Sequence, residues 1–272
     1  MWANPGIFKL GKDKKPTHVA GVPPDYFSVT GQLWGNPVYR WEALKKENYG
    51  WWFGRFAHNL ILFDVIRIDH FRGFVAYWEV PASEKTAVKG KWVKAPADDF
   101  FSKLLKRFPN IPVIAEDLGV ITDDVRQVMK QFNFLGMKLL IFAFDESPAK
   151  NPYMPHNHHK HCVVYTGTHD NSTIRGWFEK EARQEDRNRV YRYFGREIPL
   201  GEIAWEFTKL AMMSVAETVI LPIQDILGLG EEGRMNRPAT VGNNWSWRLA
   251  PEMLSPWIAS RLREITEIYG RG

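Results

Sequence analysis

The feature that most constrains the fold is the alternation, from Trp41 onward, of short apolar runs with amphipathic helical segments. The apolar runs, each short enough for a buried strand, lie at residues 65–68, 111–115, 137–144, 163–166 and 219–223. The helical segments have apolar residues at helical spacing, and the clearest lie at residues 99–108, 122–132, 202–216 and 255–268. Short buried strands that alternate with helices are typical of parallel β/α architecture. The sequence therefore predicts an α/β fold with five parallel strands.

An acidic residue lies at or just past the carboxyl end of each predicted strand. These residues are Asp69, Glu116, Asp145, Asp170 and Asp225. In β/α barrels the carboxyl ends of the strands form the rim on which active sites are built. Asp145 and Asp225 could equally cap the helices that follow them, whereas no evident helix opens directly after Asp69 or Glu116. The pattern favours a functional cluster of carboxylates over helix capping.

Several carboxylates on one rim suit the chemistry of glycosidic bonds. In a retaining enzyme one carboxylate attacks the sugar, and a second, about 5–5.5 Å away, is protonated and donates to the leaving oxygen. A nearby arginine keeps the attacking carboxylate ionised. Arg67 lies two residues before Asp69, so both side chains point to the same face of an extended strand. This spacing favours Asp69 as the nucleophile, and a purely structural Arg67–Asp69 ion pair is the alternative.

The residues before Trp41 are rich in glycine, proline and aromatic side chains and show no sustained helical or alternating period. A long irregular stretch in a compact protein is usually functional or disordered. Disordered segments lack aromatic residues, and this stretch contains many. We therefore interpret residues 21–40 as an ordered loop that lies over a site.

Composition argues against several classes of function. Lysine and arginine are spread thinly despite a formal charge of +5, so no nucleic-acid partner is expected. No apolar run approaches the roughly 18 residues of a membrane helix, and the N-terminus lacks the pattern of a signal peptide. Cys162 is the only cysteine, which fits a reducing cytoplasm. The histidines at residues 156–161 lack the spacing of a zinc site, so no metal is expected.

Three strand ends and the loop before Trp41 carry recognisable motifs. The strand motifs are Val-Ile-Arg-Ile-Asp-His-Phe-Arg-Gly-Phe at 65–74, Val-Ile-Ala-Glu-Asp-Leu-Gly at 113–119 and Tyr-Thr-Gly-Thr-His-Asp-Asn-Ser-Thr at 165–173. The loop reads Gly-Val-Pro-Pro-Asp-Tyr-Phe-Ser at 21–28 and Thr-Gly-Gln-Leu-Trp-Gly-Asn-Pro at 30–37. Taken in the order in which they occur along the chain, the motifs resemble those of the amylomaltase, or 4-α-glucanotransferase, family of the α-amylase clan. The loop and the Ala-Glu-Asp-Leu-Gly run are the most specific of them.

The resemblance implies a retaining transferase that acts on α-1,4-glucans and maltooligosaccharides without a cofactor. Asp69 would attack the anomeric carbon, and Glu116 would protonate the departing oxygen and later deprotonate the incoming 4-hydroxyl. Asp170 would hold hydroxyls of the reacting ring. The expected substrate-binding residues are Arg67, His70, His169, Asp25, Tyr26, Gln32, Trp34, Asn36, Asp145, Asn243 and Asn244.

Members of this family are roughly twice as long and contain a (β/α)8 barrel of the TIM type. The resemblance implies that only about the last five β/α units, strands four to eight, are present here. We expect one partial barrel domain over residues 1–272 with the substrate-covering loop at 21–40. Such a barrel leaves two open edges, so a partner is expected, either an N-terminal barrel half or a second copy. Two alternatives stay open: an amylase-type hydrolase, and an inactive glucan-binding fragment.

Overall fold

Parallel strands connected through helices occur in both halves of the chain. The computed structural model describes residue 1, residues 3–25 and residues 28–272. The chain divides into two units, Met1–Gly136 and Met137–Gly272. Parallel pairing within each unit confirms the predicted α/β class, whereas one barrel domain over residues 1–272 remains a prediction. Among the described residues, no helix is long and apolar enough to cross a membrane.

In the first unit, two parallel strands lead directly into predicted catalytic residues. The strands of this unit are β1 (His18–Val22), β2 (Gln32–Pro37), β3 (Ile66–Ile68), β4 (Ala76–Pro81), β5 (Lys91–Lys94) and β6 (Val113–Ala115). Its helices are α1 (Trp41–Lys46), α2 (Gly50–Leu62), α3 (Ala97–Arg107) and α4 (Asp123–Gln131). Strands β3 and β6 are parallel, and Ile68 pairs with Ala115 at their carboxyl ends. The predicted helices at 99–108 and 122–132 correspond to α3 and α4.

An aromatic core supports the turn that follows β3. Phe71, in that turn, is completely buried, as are Phe100 and Phe101 of α3. The ring of Phe101 stacks on that of Phe71 with a centroid distance of 5.4 Å. Phe101 also meets Phe134 edge to face, with centroids 5.0 Å apart. Each such aromatic pair contributes about 0.5–1.5 kcal/mol beyond the burial of its surface, so this core fixes the backbone just past Asp69.

The segment at residues 21–40, which we interpreted as an ordered loop, contains strand structure. Strands β2, β1, β4 and β5 form an antiparallel sheet in that order. Residue 21 must be glycine where β1 meets β2, because a Cβ there would lie 2.3 Å from the carbonyl oxygen of Gln32. The edge strand β2 is largely exposed and so lacks the alternating apolar pattern that identifies a half-buried strand. The role of residues 21–40 as a substrate-covering loop stays a prediction.

The second unit contains the remaining predicted strands. Its strands are β7 (Leu135–Leu139), which begins in the first unit, β8 (Cys162–Tyr165) and β9 (Thr218–Ile220). Its helices are α5 (Ile174–Gly176), α6 (Gln184–Phe194), α7 (Ile203–Met212), α8 (Ile223–Ile226) and α9 (Pro256–Ile268), and a π-helical turn at Trp177–Glu181 follows α5. Strands β8 and β9 are parallel, with Tyr165 opposite Ile220. Helix α9 begins with the predicted proline after Ser255.

Two predicted strand ends are wrong. Strand β7 ends at Leu139 rather than Phe144, and a 3-10 helix at Leu140–Phe142 follows it. Asp145 therefore does not terminate a strand. Strand β9 ends at Ile220, and Asp225 lies inside the short helix α8. In both places a continuous buried apolar run extends past the strand, and such a run does not distinguish a strand from a buried helical turn.

Candidate active site

Asp69 and Glu116 follow neighbouring parallel strands at corresponding positions. Ile68 and Ala115, the last residues of β3 and β6, are paired. The pairing continues past both strands, because the amide of Glu116 donates to the carbonyl of Ile68 at 2.9 Å and the amide of Phe71 donates to the carbonyl of Glu116 at 3.1 Å. The two acids therefore lie side by side, as the strand-end pattern predicted.

The side chain of Asp69 is paired with an arginine and open to solvent. The Arg67 guanidinium lies 2.8 Å from Asp69 Oδ1, and the Asp69 side chain is 75% exposed. The ion pair expected from the spacing of these residues is therefore present. An exposed ion pair contributes about 0–1 kcal/mol to stability, so a purely structural role explains this pair poorly. The guanidinium orients an accessible carboxylate, which is what a nucleophile requires.

Glu116 is less exposed than Asp69, and its pKa is raised. Its Oε2 accepts the amide of His70 at 2.7 Å, and its Oε1 accepts the amide of Leu118 at 2.9 Å. Burial raises the pKa of Glu116, and the charge of Asp69 raises it further, although the two amides and Arg67 lower it in part. The net effect is a raised pKa. One carboxyl group is thus suited to hold a proton beside an exposed carboxyl group paired with an arginine, which matches the division between general acid and nucleophile.

His70 lies between the acidic pair and the antiparallel sheet. Its φ is +45°, in the left-handed region. The ring of Trp34 meets the imidazole edge to face with a centroid distance of 4.7 Å. Trp34 Nε1 donates to Gln32 Oε1 at 3.1 Å, and the Trp34 side chain is 43% exposed. The structure therefore brings Gln32, Trp34 and His70 together, and the His70 amide connects this group to Glu116.

Burial makes His70 neutral in the folded protein and predicts an acid-sensitive fold. Desolvation lowers the pKa of His70 to about 4, with Asp69 opposing and Arg72 adding to the shift. As the pH falls, the unfolded chain binds this proton first, so the folded state loses stability below the unfolded pKa of about 6.5. The His70→Asn variant, whose new side chain tolerates a left-handed backbone, should lack this loss.

We expect the unfolding free energy of the wild type to fall by about 1–2 kcal/mol more than that of H70N between about pH 7 and about pH 5. Denaturant unfolding of both proteins at the two pH values measures this difference. Both proteins keep His158, whose pKa burial also lowers to about 4, so the comparison isolates His70. Equal pH dependence in the two proteins would show that His70 is not held neutral.

The remaining expected substrate-binding residues of the first unit are Asp25, Asn36 and Tyr26. Asp25 Oδ1 accepts the amide of Ser28 at 2.8 Å. Asn36 lies exposed on the edge strand β2. Tyr26, expected to stack on glucose units, lies outside the described residues. All three stay predictions.

In the second unit, Asp170 lies on the turn that follows β8. Its Oδ1 accepts the side-chain amide of Asn236 at 2.6 Å. Its Oδ2 lies 3.3 Å from Nε2 of His169, and the His169 ring lies 5.2 Å from that of Trp245. About half of the Asp170 side chain is exposed. Asp170 and His169 therefore face solvent together, as a pair that binds sugar hydroxyls would.

Asn236 and Arg234 are functional candidates that the sequence analysis missed. The guanidinium of Arg234 donates to the carbonyl of Asp170 at 3.2 Å, and its Nε donates to the carbonyl of Asn236 at 3.0 Å. No local pattern signals these contacts, since Asn236 and Asp170 are 66 residues apart. The polar residues Arg234, Asn236 and Arg237, close together in the sequence, were the one available indication.

Asn243 and Asn244 line a cavity of about 520 Å³ in the second unit. The cavity is mostly polar, and its other lining residues are Glu231, Glu232, Arg234, Asn236, Arg237, Thr240, Gly242, Ser246 and Trp247. The carboxamide of Asn244 accepts the amide of Arg237 at 2.9 Å and donates to the carbonyl of Thr240 at 3.2 Å. A polar wall with one indole beside it suits a sugar, although the roles of Asn243 and Asn244 in binding stay predictions.

Asp145 and Asp225 have contacts of a structural kind. Asp145 is exposed, and its Oδ1 accepts the amide of Ser147 at 3.0 Å. Asp225 is almost fully buried and accepts the Thr166 hydroxyl at 2.5 Å and the amide of Ile174 at 2.8 Å. Burial raises the pKa of Asp225 to about 6. Asp225 thus caps α5 from another helix, and it connects the end of β8 to the start of α5. Sugar binding by Asp145 stays a prediction.

Comparison with known proteins gives a consistent result. The sequence profile of the 4-alpha-glucanotransferase family matches residues 1–254. A 4-alpha-glucanotransferase from Synechocystis sp. is 52% identical over 274 aligned residues, which cover all of this chain and 54% of that protein. A 4-alpha-glucanotransferase from Thermus thermophilus is 49% identical, and the alignment covers all of this chain and 55% of that protein. The chain spans about half the length of the curated relatives it matches.

Solved structures show the same relationship. The amylomaltase from Streptococcus agalactiae in complex with acarbose superposes with a TM-score of 0.94 at 39% identity, covering all of this chain and 54% of that one. The amylomaltase from Corynebacterium glutamicum superposes with a TM-score of 0.72 at 21% identity over 94% of this chain and 41% of that one, which shows a shared fold.

Proposed function

Because the chain belongs to the 4-alpha-glucanotransferase family, we propose that it transfers α-1,4-glucan segments to the 4-hydroxyl of an acceptor by a retaining double displacement. One observation carries the proposal: the exposed, arginine-paired carboxylate of Asp69 lies beside the partly buried carboxyl of Glu116, whose pKa is raised. A retaining mechanism requires one carboxylate that attacks and one carboxyl group that donates a proton, and the raised pKa of Glu116 favours it as the donor. The amylomaltase from Streptococcus agalactiae, similar over the whole chain, was solved with acarbose.

In the first step, Asp69 Oδ attacks the anomeric carbon while the bond from that carbon to the glycosidic oxygen breaks. Glu116 gives its proton to the departing oxygen, so the shortened glucan leaves as a neutral alcohol. A covalent glycosyl ester on Asp69 remains. The guanidinium of Arg67 orients Asp69 for this attack.

In the second step, the ionised Glu116 removes the proton of an acceptor 4-hydroxyl. The acceptor oxygen attacks the anomeric carbon, and the ester bond to Asp69 breaks, which regenerates both carboxyl groups in their starting states. Two inversions give net retention. We propose that Asp170 and His169 bind sugar hydroxyls, and that Gln32, Trp34 and His70 contact the glucan beside the acidic pair.

The chain supplies about half of a relative's length, and we propose that it contributes the last five β/α units of an eight-stranded barrel. Two exposed apolar sets support this. In the first unit, the exposed apolar residues just before β3 are Ile61, Leu62, Phe63 and Val65. In the second unit, exposed apolar residues around β9 include Met213, Val215 and Ile220. We propose that further barrel strands, from an N-terminal half or a second copy, cover these residues. Cys162 is the only cysteine of the sequence, so no intramolecular disulfide is possible, and we propose that the chain acts in the cytoplasm.

Incubation with maltotriose tests the proposed function. We expect free glucose together with a ladder of longer maltooligosaccharides, produced by the chain alone or after addition of the N-terminal half of a relative. An amylase-type hydrolase would instead yield shorter sugars with one new reducing end per bond cleaved. Absence of turnover in both preparations, with both halves folded, would favour the glucan-binding alternative.

Replacing Trp34 with alanine is expected to raise hydrolysis relative to transfer. The indole lies against His70 and is 43% exposed, so it can exclude water while contacting the glucan. We expect the ratio of reducing ends formed to glucan transferred to rise several-fold, measured with maltotriose. The matched control is Trp257→Ala, an exposed tryptophan of α9 in the second unit. An unchanged ratio in W34A would contradict the shielding role.

A further inference from the structure

Residues 234–236 form three hydrogen bonds to the turn that carries His169 and Asp170. Asn236 contacts this turn twice: its amide donates to the carbonyl of His169 at 3.1 Å, and its side chain donates to Asp170 Oδ1 at 2.6 Å. Arg234 makes a third contact, to the carbonyl of Asp170 at 3.2 Å. Both the backbone and the carboxylate of Asp170 are therefore fixed from the same side.

The segment is itself rigidly anchored. The Arg234 side chain is only 13% exposed and forms an ion pair with Glu181 at 2.7 Å. Its Nε donates to the carbonyl of Asn236, so the guanidinium holds the backbone that presents the carboxamide. Glu231 adds a further connection, because it accepts the Ser172 hydroxyl at 2.5 Å and pairs with Arg237. A side chain on such a support delivers its hydrogen bond in one geometry.

The contact determines which oxygen of Asp170 is available. Asn236 occupies Oδ1, whereas Oδ2 lies on the side of His169. A carboxylate that is free to rotate would present either oxygen to a ligand. One fixed donor at Oδ1 leaves Oδ2 and the imidazole to bind sugar hydroxyls as a pair.

We propose that Asn236 is a positioning residue, which holds Asp170 in the orientation that binds the glucan. The inference rests on the proposed function for the role of Asp170, but the orientation itself can be tested without turnover. Asn236 need not contact sugar, although it also lines the polar cavity of the second unit.

Crystal structures of the wild-type chain and of the Asn236→Ala variant test the orientation directly. We expect the Asp170 carboxylate to leave its wild-type position in N236A, while Arg234 keeps its ion pair with Glu181. Asn188→Ala, which changes an exposed asparagine of α6, is the matched control and should leave Asp170 in place. If Asp170 keeps its position in N236A, the proposal is overturned, whether or not the wild type shows transfer.

Kinetics separate positioning from general damage to the fold. N236A should lower kcat/KM for transfer from maltotriose by about 10²-fold, the effect of a misplaced reacting group, and N188A should stay close to wild type. Asn236→Asp places a second carboxyl 2.6 Å from Asp170 Oδ1, where like charges repel. Its activity relative to wild type should rise as the pH falls, because protonation of the introduced carboxyl restores a donor.

The other titratable or charged side chains that contact this turn or residues 234–237 include His169, Arg234, Glu181, Glu231 and Arg237, and both N236D and the wild type keep all of them. A ratio of activities that does not change with pH would overturn the positioning role. If the wild type shows no transfer in any preparation, the proposed function fails, and the crystal structures alone decide the positioning proposal.

Discussion

Asp69→Asn is expected to lower the rate of transfer from maltotriose by at least about 10⁴-fold, the scale of loss when an attacking group is removed. An amide does not form the covalent intermediate, because its oxygen is a poor nucleophile and the resulting adduct is not a stable ester. The Arg67 guanidinium, 2.8 Å from Asp69 in the wild type, then has no carboxylate to orient. Steady-state kinetics with maltotriose measure the loss.

Stability should change little in D69N. The Asp69 side chain is 75% exposed, and exposed ion pairs contribute about 0–1 kcal/mol. Asp64→Asn is the matched control, since Asp64 is also exposed and lies five residues earlier in the chain. D64N should retain the activity of the wild type. If D69N and D64N had equal activity, Asp69 would not be the nucleophile.

Glu116→Gln is expected to give the second largest effect, a loss of about 10²–10⁴-fold in transfer from maltotriose, the contribution of one general acid–base group. The loss should depend on the leaving group. α-Maltotriosyl fluoride releases fluoride, which requires no proton from the enzyme, so formation of the covalent intermediate from it should be nearly normal in E116Q. Deglycosylation by an acceptor sugar still needs the base and should stay slow.

The pH dependence should change together with the rate. In the wild type, burial and the charge of Asp69 raise the pKa of Glu116, so the protonated acid persists to a higher pH than for an ordinary carboxyl group. The first step should therefore lose activity on the alkaline side as Glu116 ionises. In E116Q assayed with the fluoride, the rate of the first step should not fall on the alkaline side.

Glu47→Gln, at an exposed glutamate that ends α1, is the control for E116Q. E47Q should resemble the wild type with both substrates. In E116Q, equal losses in the rate of the first step with maltotriose and with the fluoride, measured as the initial burst of the leaving group, would contradict the role of Glu116 as the proton donor.

The acidic pair could be predicted because every step from sequence to site is local. Each acid directly follows a short buried run, and parallel pairing of Ile68 with Ala115 aligns the two residues that come next. The arginine two residues before Asp69 gives a same-face contact on any extended strand. These relations depend on the geometry of a strand and require no knowledge of distant contacts.

The rest of the site depends on contacts that the sequence does not reveal. The hydrogen bond from Asn236 to Asp170 joins residues 66 positions apart. Strand β2 lies at a sheet edge and is largely exposed, so the residues around Trp34 resembled an irregular loop. The end of β7 was misplaced because buried apolar residues continue into the 3-10 helix at Leu140–Phe142. In each place tertiary packing, rather than local pattern, determines the structure.

The most direct test of the central claim is mass spectrometry of the E116Q protein after incubation with α-maltotriosyl fluoride. The preparation, the chain alone or the chain with an added N-terminal half, is the one in which the wild type transfers glucan. The fluoride should drive the first step, and the missing base should let the intermediate accumulate. We predict a maltotriosyl adduct on the proteolytic peptide that contains Asp69, absent from the variant that also carries D69N. An adduct on a different residue, or no adduct while the fluoride is consumed, would contradict attack by Asp69.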